Sequence, residues 1–458
     1  MAHHLVKRLL WALGFWAGCL PAFSQRAEDS LFIRKIFNQA LESMESHKWL
    51  SELCRLAPKR LSNYPDYYKA VDWAVSLGGA LGFETFKQSV EVPNWHRGRP
   101  EACLLFLKDR TLALNITALG GSGGGRVRGQ VVPFATLKDL EKAPREEVEG
   151  KIVYINQGFD PHPIETGTSY GMAVGSRRNG PAIAAGKGAL ACLIRSMTHA
   201  RDNYPHTGMT VFPEDIKPIP AAALSMVAAD SLWQWTTLRT PHTLYVETHC
   251  TQRPDTVSYN VVGTWKGREK PDEFILVGGH LDAWDTGCGA HDDGAGCIHA
   301  VRALTLLKQV GYTPRRSLRW VLFTNEENGL RGAQKYYDEA RQRGEKHVAC
   351  LESDAGGLTP RGFRYENDTA SLRWLRPLAT LLQPYGIGYL RPGGSGADIS
   401  PFRQSPGCLL LGYEPDSQRY FDYHHAATDV PDNVHPRELE LGSACIAALI
   451  YLIDKYHP

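Results

Sequence analysis

The sequence predicts an α/β protein: a largely parallel or mixed central sheet covered by helices, interrupted by a smaller β-rich module. Two observations carry this. Four apolar runs, FILVGG (274–279), LRWVLFT (318–324), HVACLES (347–353) and CLLLGY (408–413), alternate with helical patterns, as central strands of a covered sheet do. Between about residues 113 and 245 the texture changes to short strands broken by Gly, Pro and Asn.

Taken in order, the chain opens with Lys7 and Arg8, an apolar stretch Leu9–Leu20, and Ala22-Phe23-Ser24. That order predicts an export signal over 1–24, with Gln25 as the mature start and a secreted or periplasmic destination. The stretch is short for a membrane span; a buried N-terminal helix is the alternative. Cys19 lies in a sequence near a lipoprotein cleavage box, but Trp16 is an unusual first residue there.

Residues 26–60 and 67–81 carry helical spacing, and 84–95 and 102–108 read as strands. GGSGGG (120–125) marks a loop, and 183–196 a helix followed by a buried strand. A helix follows the first central strand, with Ile298, Val301 and Leu304 on one face. The last helix starts at Pro436, a favoured first-turn residue, and runs to about 455. These changes of texture divide the chain into 25–112 with 246–458, and an insert at 113–245.

Charge excludes one class of partner. With 51 Lys and Arg against 49 Asp and Glu, the net charge is +2 and no long basic block exists. Nothing here favours a nucleic-acid ligand. Beyond Cys19 nine cysteines remain, an odd number with no CxxC, so no disulfide framework is expected, although one bridge is compatible with an oxidising compartment.

The chemistry gathers after the strands. FILVGG is followed by His280 and Asp282, then by Asp285, His291, Asp292 and Asp293. LRWVLFT is followed by Glu326-Glu327, HVACLES by Asp354, and CLLLGY by His424-His425 with Asp429 beyond. Sites in open α/β sheets lie at the carboxyl ends of strands. Singly, each residue has an ordinary use: a strand-end His, a helix-capping Asp, a solvated Glu pair. Together, two His and three carboxylates suit two divalent metals such as zinc sharing one carboxylate. The adjacent glutamates suit a division of labour, one coordinating and one free as general base.

The stretches HLDAWD, DDGAG, NEENGLRGA, ESDAGG and HHAATD resemble the di-zinc exopeptidase family of bacterial leucyl aminopeptidase and glutamate carboxypeptidase II. HLDAWD and the GxGADI stretch at 394–399 are most similar to its carboxypeptidase Q branch. The resemblance covers most of the chain, with specific catalytic motifs. It implies a three-layer αβα fold with a mixed sheet, and a protease-associated-like insert. It implies two zinc ions: His280 and Asp354 on one, Glu327 and His425 on the other, Asp292 bridging. Glu326 is then the general base and Asp282 orients His280. His425 is chosen over His424 because the family's ligand stands four residues before an Asp, here Asp429. His424 would stabilise the oxyanion, and Asp398 would receive a substrate α-ammonium. The implied activity is hydrolysis of short peptides, as an aminopeptidase or dipeptidase. A homodimer is implied by the branch alone. Two rivals share the fold: a mono-zinc glutaminyl cyclase and an inactive binding protein. No role at the metals is expected for Asp285, Asp293 or His291.

Overall fold

The computed structural model describes residues 26–237, 241–366, 370 and 372–458. The expected export signal and Cys19 lie outside them. Among the described residues no helix is long and apolar enough to cross a membrane.

The main sheet has eight strands, in the spatial order Glu84–His96, Thr251–Trp265, Arg316–Phe323, Lys270–His280, Lys346–Glu352, Leu409–Pro415, Pro360–Glu366 and Tyr389–Pro392. Four neighbours at its centre, from Arg316–Phe323 to Leu409–Pro415, run parallel. The flanking pairs at Thr251–Trp265 and Pro360–Glu366 are antiparallel, so the sheet is mixed. The central strands contain the four apolar runs, and each is buried along nearly its whole length. Their alternate residues serve two cores. Ile275, Val277, Leu318, Trp320, Leu322 and Leu411 face helical segments at 26–43, Pro65–Ala80, Ala295–Gln309 and Pro436–Tyr456. Leu276, Val321, Phe323 and Cys350 face the helix Arg331–Gln342 through Tyr336, Tyr337 and Ala340. Both faces are covered because both faces of these strands are apolar. The helical stretch expected over 26–60 is broken at Met44, whose φ is 47°.

A second eight-stranded sheet follows the order Thr111–Ala113, Ala102–Phe106, Thr243–Thr248, Gly125–Phe134, Ile152–Ile155, Ala191–Arg195, Ala221–Leu224 and Ile116–Ala118. It is also mixed. One of its faces, with Val153, Ile155, Cys192 and Ile194, joins Leu358, Tyr420 and Phe421 of the main unit in a single apolar cluster. This contact seats the second sheet beside the carboxyl ends of the central strands. The nine described cysteines are buried free thiols.

Candidate metal centre

His280 is the last residue of its strand, and its neighbour Gly279 is required by close approach rather than by a turn. A Cβ there would lie 2.4 Å from the Asp293 carboxylate. That carboxylate accepts from the backbone N–H of His280 at 3.0 Å and of Gly296 at 2.9 Å, capping the Ala295–Gln309 helix. Asp293 therefore joins strand to helix and leaves Asp292 free to face the site. The Asp292–Asp293 peptide is cis.

The Asp292 carboxylate is the meeting point. His280 Nε2 lies 3.2 Å from Oδ1 and His425 Nε2 lies 3.1 Å from Oδ2. His280 Nε2 is also 3.6 Å from Asp354, and His425 Nε2 is 3.1 Å from Glu327 Oε2. His424 stacks on His425 with ring centroids 3.6 Å apart, and its Nε2 is 3.5 Å from Asp292. Two overlapping groups, His280–Asp292–Asp354 and Asp292–His424–His425, thus bring ligand atoms within 4.8 Å of one another.

These donors suit cations. His280 Nε2 and Asp292 Oδ2 are buried and make no hydrogen bond, which is costly unless something else satisfies them. Burial, with neighbouring carboxylates, pushes Glu326 well above the ordinary glutamate range and Glu327 up to about 7. Asp292 is held well below its usual range against its burial, by His280 and His425. Imidazole and carboxylate are the donors zinc takes.

The orientation of His280 differs in one respect from expectation. Its Nδ1–H donates to the main-chain carbonyl of Asp282 at 2.9 Å, which leaves Nε2 free to coordinate. The Asp282 carboxylate is 3.9 Å from Nδ1. It accepts instead from the backbone N–H groups of Glu326 and Glu327 at 3.2 and 3.3 Å. Asp282 therefore links the His280 strand end to the glutamate pair. Glu327 is further fixed by the Trp284 N–H at 3.1 Å. Glu326 borders the cleft with no such bond to its carboxylate.

Asp398 is fully buried, and neither carboxylate oxygen has a hydrogen-bond partner. Burial, with Glu352 and Glu326 nearby, pushes it well above its usual range. It lines neither cavity beside the site, so its carboxyl group is covered, against the expectation of an open contact with a substrate ammonium. His291 is stacked on Tyr423 and bonded to Asn433 and Gly357, away from the metal donors. Asp285 pairs with Arg97, Oδ1 lying 2.6 Å from Nη2. Asp429 accepts from the N–H groups of His291 and Asp292 at 2.6 and 3.1 Å, holding the backbone of Asp292.

Two cavities meet at Asp354, Tyr420 and Phe421. One, about 560 Å³, exposes Asp292, Glu326, Glu327, His424 and His425. The other, about 580 Å³, is walled by Arg361, Arg364, Arg391 and Glu414. The helix Thr166–Arg178, from the second-sheet unit, contributes Tyr170, Val174, Arg177 and Arg178 to the first and Gly167 and Thr168 to the second. Sequence reasoning assigned none of these residues, because nothing local to 166–178 indicates which cleft it borders.

Comparison with known proteins agrees with this geometry. The model of peptidase family M28 matches residues 260–450, the span that carries every candidate ligand. Human carboxypeptidase Q is 32% identical over 413 residues, covering 89% of this chain and 85% of that protein. Carboxypeptidase Q of Xenopus laevis is 33% identical over 373 residues, 80% and 76% of the two chains. The crystal structure of a peptidase M28 precursor from Shewanella amazonensis superposes with a TM-score of 0.88 at 30% identity, over 93% of this chain and 97% of that one. An aminopeptidase from Aneurinibacillus shares the fold, with a TM-score of 0.62 at 17% identity, over 92% and 95%. With a paired His–carboxylate centre at the strand ends and this similarity along most of its length, the chain belongs to peptidase family M28 and is a metallo-exopeptidase.

Proposed function

We propose that this chain is a secreted or periplasmic two-zinc exopeptidase of the carboxypeptidase Q kind, removing residues from short peptides as an aminopeptidase or dipeptidase. The observation that carries the reading is the shared Asp292 carboxylate, approached by His280 on one oxygen and His425 on the other. His280 and Asp354 would hold one zinc and Glu327 and His425 the other, with the Asp292 carboxylate shared between them. Bound zinc supplies positive charge that polarises a carbonyl and makes water acidic enough to ionise near neutral pH.

The protein's own groups do the rest. Glu326, free of backbone restraint on its carboxylate, accepts the proton of the attacking water and passes it to the leaving amine. Asp282 keeps Glu326 and Glu327 in register with the His280 strand end. His424 lies over His425 at the cleft wall and donates to the oxyanion as the carbonyl becomes tetrahedral. The insert, expected over 113–245 and protease-associated-like, borders the cleft through Tyr170, Val174, Arg177 and Arg178. The segment at 1–24 directs export.

Unblocked dipeptides, N-blocked peptides and aminoacyl chromogenic amides, assayed with added zinc, separate the exopeptidase classes. Unblocked dipeptides are expected to be cleaved and N-blocked peptides spared. A fully zinc-loaded protein that cleaves none of them contradicts the reading and revives a binding role. A single zinc per chain with cyclisation of N-terminal glutamine would instead favour the cyclase.

A further inference from the structure

The two ligand histidines are oriented by different parts of the chain. His280 is fixed from its own strand end, by the Asp282 carbonyl. His425 is fixed by the second-sheet unit. Its Nδ1 lies 3.1 Å from the main-chain carbonyl of Thr207. That carbonyl can only accept, and it also receives Arg177 Nη1–H at 3.2 Å. Arg177 Nη1 also lies 3.3 Å from Nδ1 itself. With a metal on Nε2 the imidazole proton sits on Nδ1 and goes to the Thr207 carbonyl, the Arg177 N–H turns to that same carbonyl, and Nε2 faces Asp292 and Glu327.

The backbone is tied down by the same segment. The Thr207 N–H donates to the carbonyl of His425 at 3.0 Å, and His206 Nδ1–H donates to the carbonyl of His424 at 2.7 Å. His425 needs such restraint. Its φ is 63°, in the left-handed region that histidine adopts only when its surroundings hold it there. Arg177 and His206 are both buried. The chain reaches past Arg177 only because residue 208 is glycine: a Cβ there would lie 2.4 Å from the guanidinium carbon.

We propose that His206 and Arg177 are positioning residues for the second metal, acting through the carbonyls of His424 and Thr207 on His425. The proposal rests on the two-zinc reading. It makes the two metal sites unequal. Loss of either side chain weakens the zinc held by His425 and Glu327, and leaves the zinc held by His280 and Asp354 untouched.

The test is a zinc titration of the full-length apoprotein against a chelator of known affinity, with kcat followed in parallel. For His206→Ala and Arg177→Ala the second zinc is expected to bind 10- to 100-fold more weakly and the first unchanged. His206→Asn, which keeps a donor in place of Nδ1, is expected to restore the second affinity to within a few-fold of wild type. If both steps weaken together, or neither does, or His206→Asn behaves as His206→Ala, the proposal is overturned. A wild-type chain that takes up fewer than two zinc ions overturns the metal assignment itself.

Discussion

His425 Nε2 lies 3.1 Å from Oδ2 of Asp292, on the opposite oxygen from the one His280 approaches. One carboxylate therefore joins ligands delivered by the loop after Leu409–Pro415 and by the end of Lys270–His280. A shared carboxylate couples the two halves, and Asp292→Asn tests this. The amide has one acceptor oxygen where two are used. Expected are loss of zinc at both positions by metal analysis and a fall in turnover of two or more orders of magnitude. Retention of two tightly bound zinc ions would remove Asp292 as the bridge.

Chelation is expected to abolish peptidase activity and added zinc to restore it. Because each proposed zinc would join elements distant in sequence, the apoprotein should also melt at a lower temperature than the loaded protein. Calorimetry with and without chelator measures this. An unchanged melting temperature would argue against both sites.

Arg97 and Asp285 form a buried bidentate pair. The Arg97 guanidinium also donates to Ala118 O and lies over Trp95 and Trp284. Asp285→Asn leaves that cation only the more distant Glu101, 3.7 Å away, as counter-charge. A loss of about 3–5 kcal/mol in denaturant unfolding is expected. A change below about 1 kcal/mol would mean that the pair contributes little.

His347 lies at the opposite end of its strand from Asp354, between Phe274, Tyr336 and Phe402. Burial first, then Arg319, pulls its pKa down to about 3. The unfolded chain binds that proton near pH 6.5, so stability is full above 6.5 and is lost as pH falls from 6.5 toward 3. Through that window the slope is at most about 1.4 kcal/mol per pH unit. His347→Gln is expected to show a shallower decline of melting temperature with acid than wild type. Equal slopes would contradict the buried neutral state.

Much of this was legible from local patterns. The central strands were readable because burial on both faces makes them continuously apolar, and the helix at Pro436 because its first-turn signal is local. The gathering of His280, Asp292, Glu327, Asp354 and His425 was readable because a parallel sheet sends every central strand's carboxyl end to one edge. Pairing across distance was not readable. Nothing at Ala102–Phe106 states that its neighbour is Thr243–Thr248. Nor does Asp285 announce Arg97, 188 residues away. Asp282 bonds the second nitrogen of His280 as expected, but through its backbone carbonyl, and no side-chain motif specifies which atom of the residue is used. His206 and Arg177 have no signal in sequence, since they act on a loop more than two hundred residues further on.

The central claim is that Glu326 is the proton acceptor beside two zinc ions it does not bind. The direct measurement is kcat of Glu326→Gln on an unblocked dipeptide, with zinc content determined on the same sample. Expected are two zinc ions per chain and a kcat reduced by ~10²–10⁴. Near wild-type kcat would contradict it, and so would a loss of zinc that accounts for the fall.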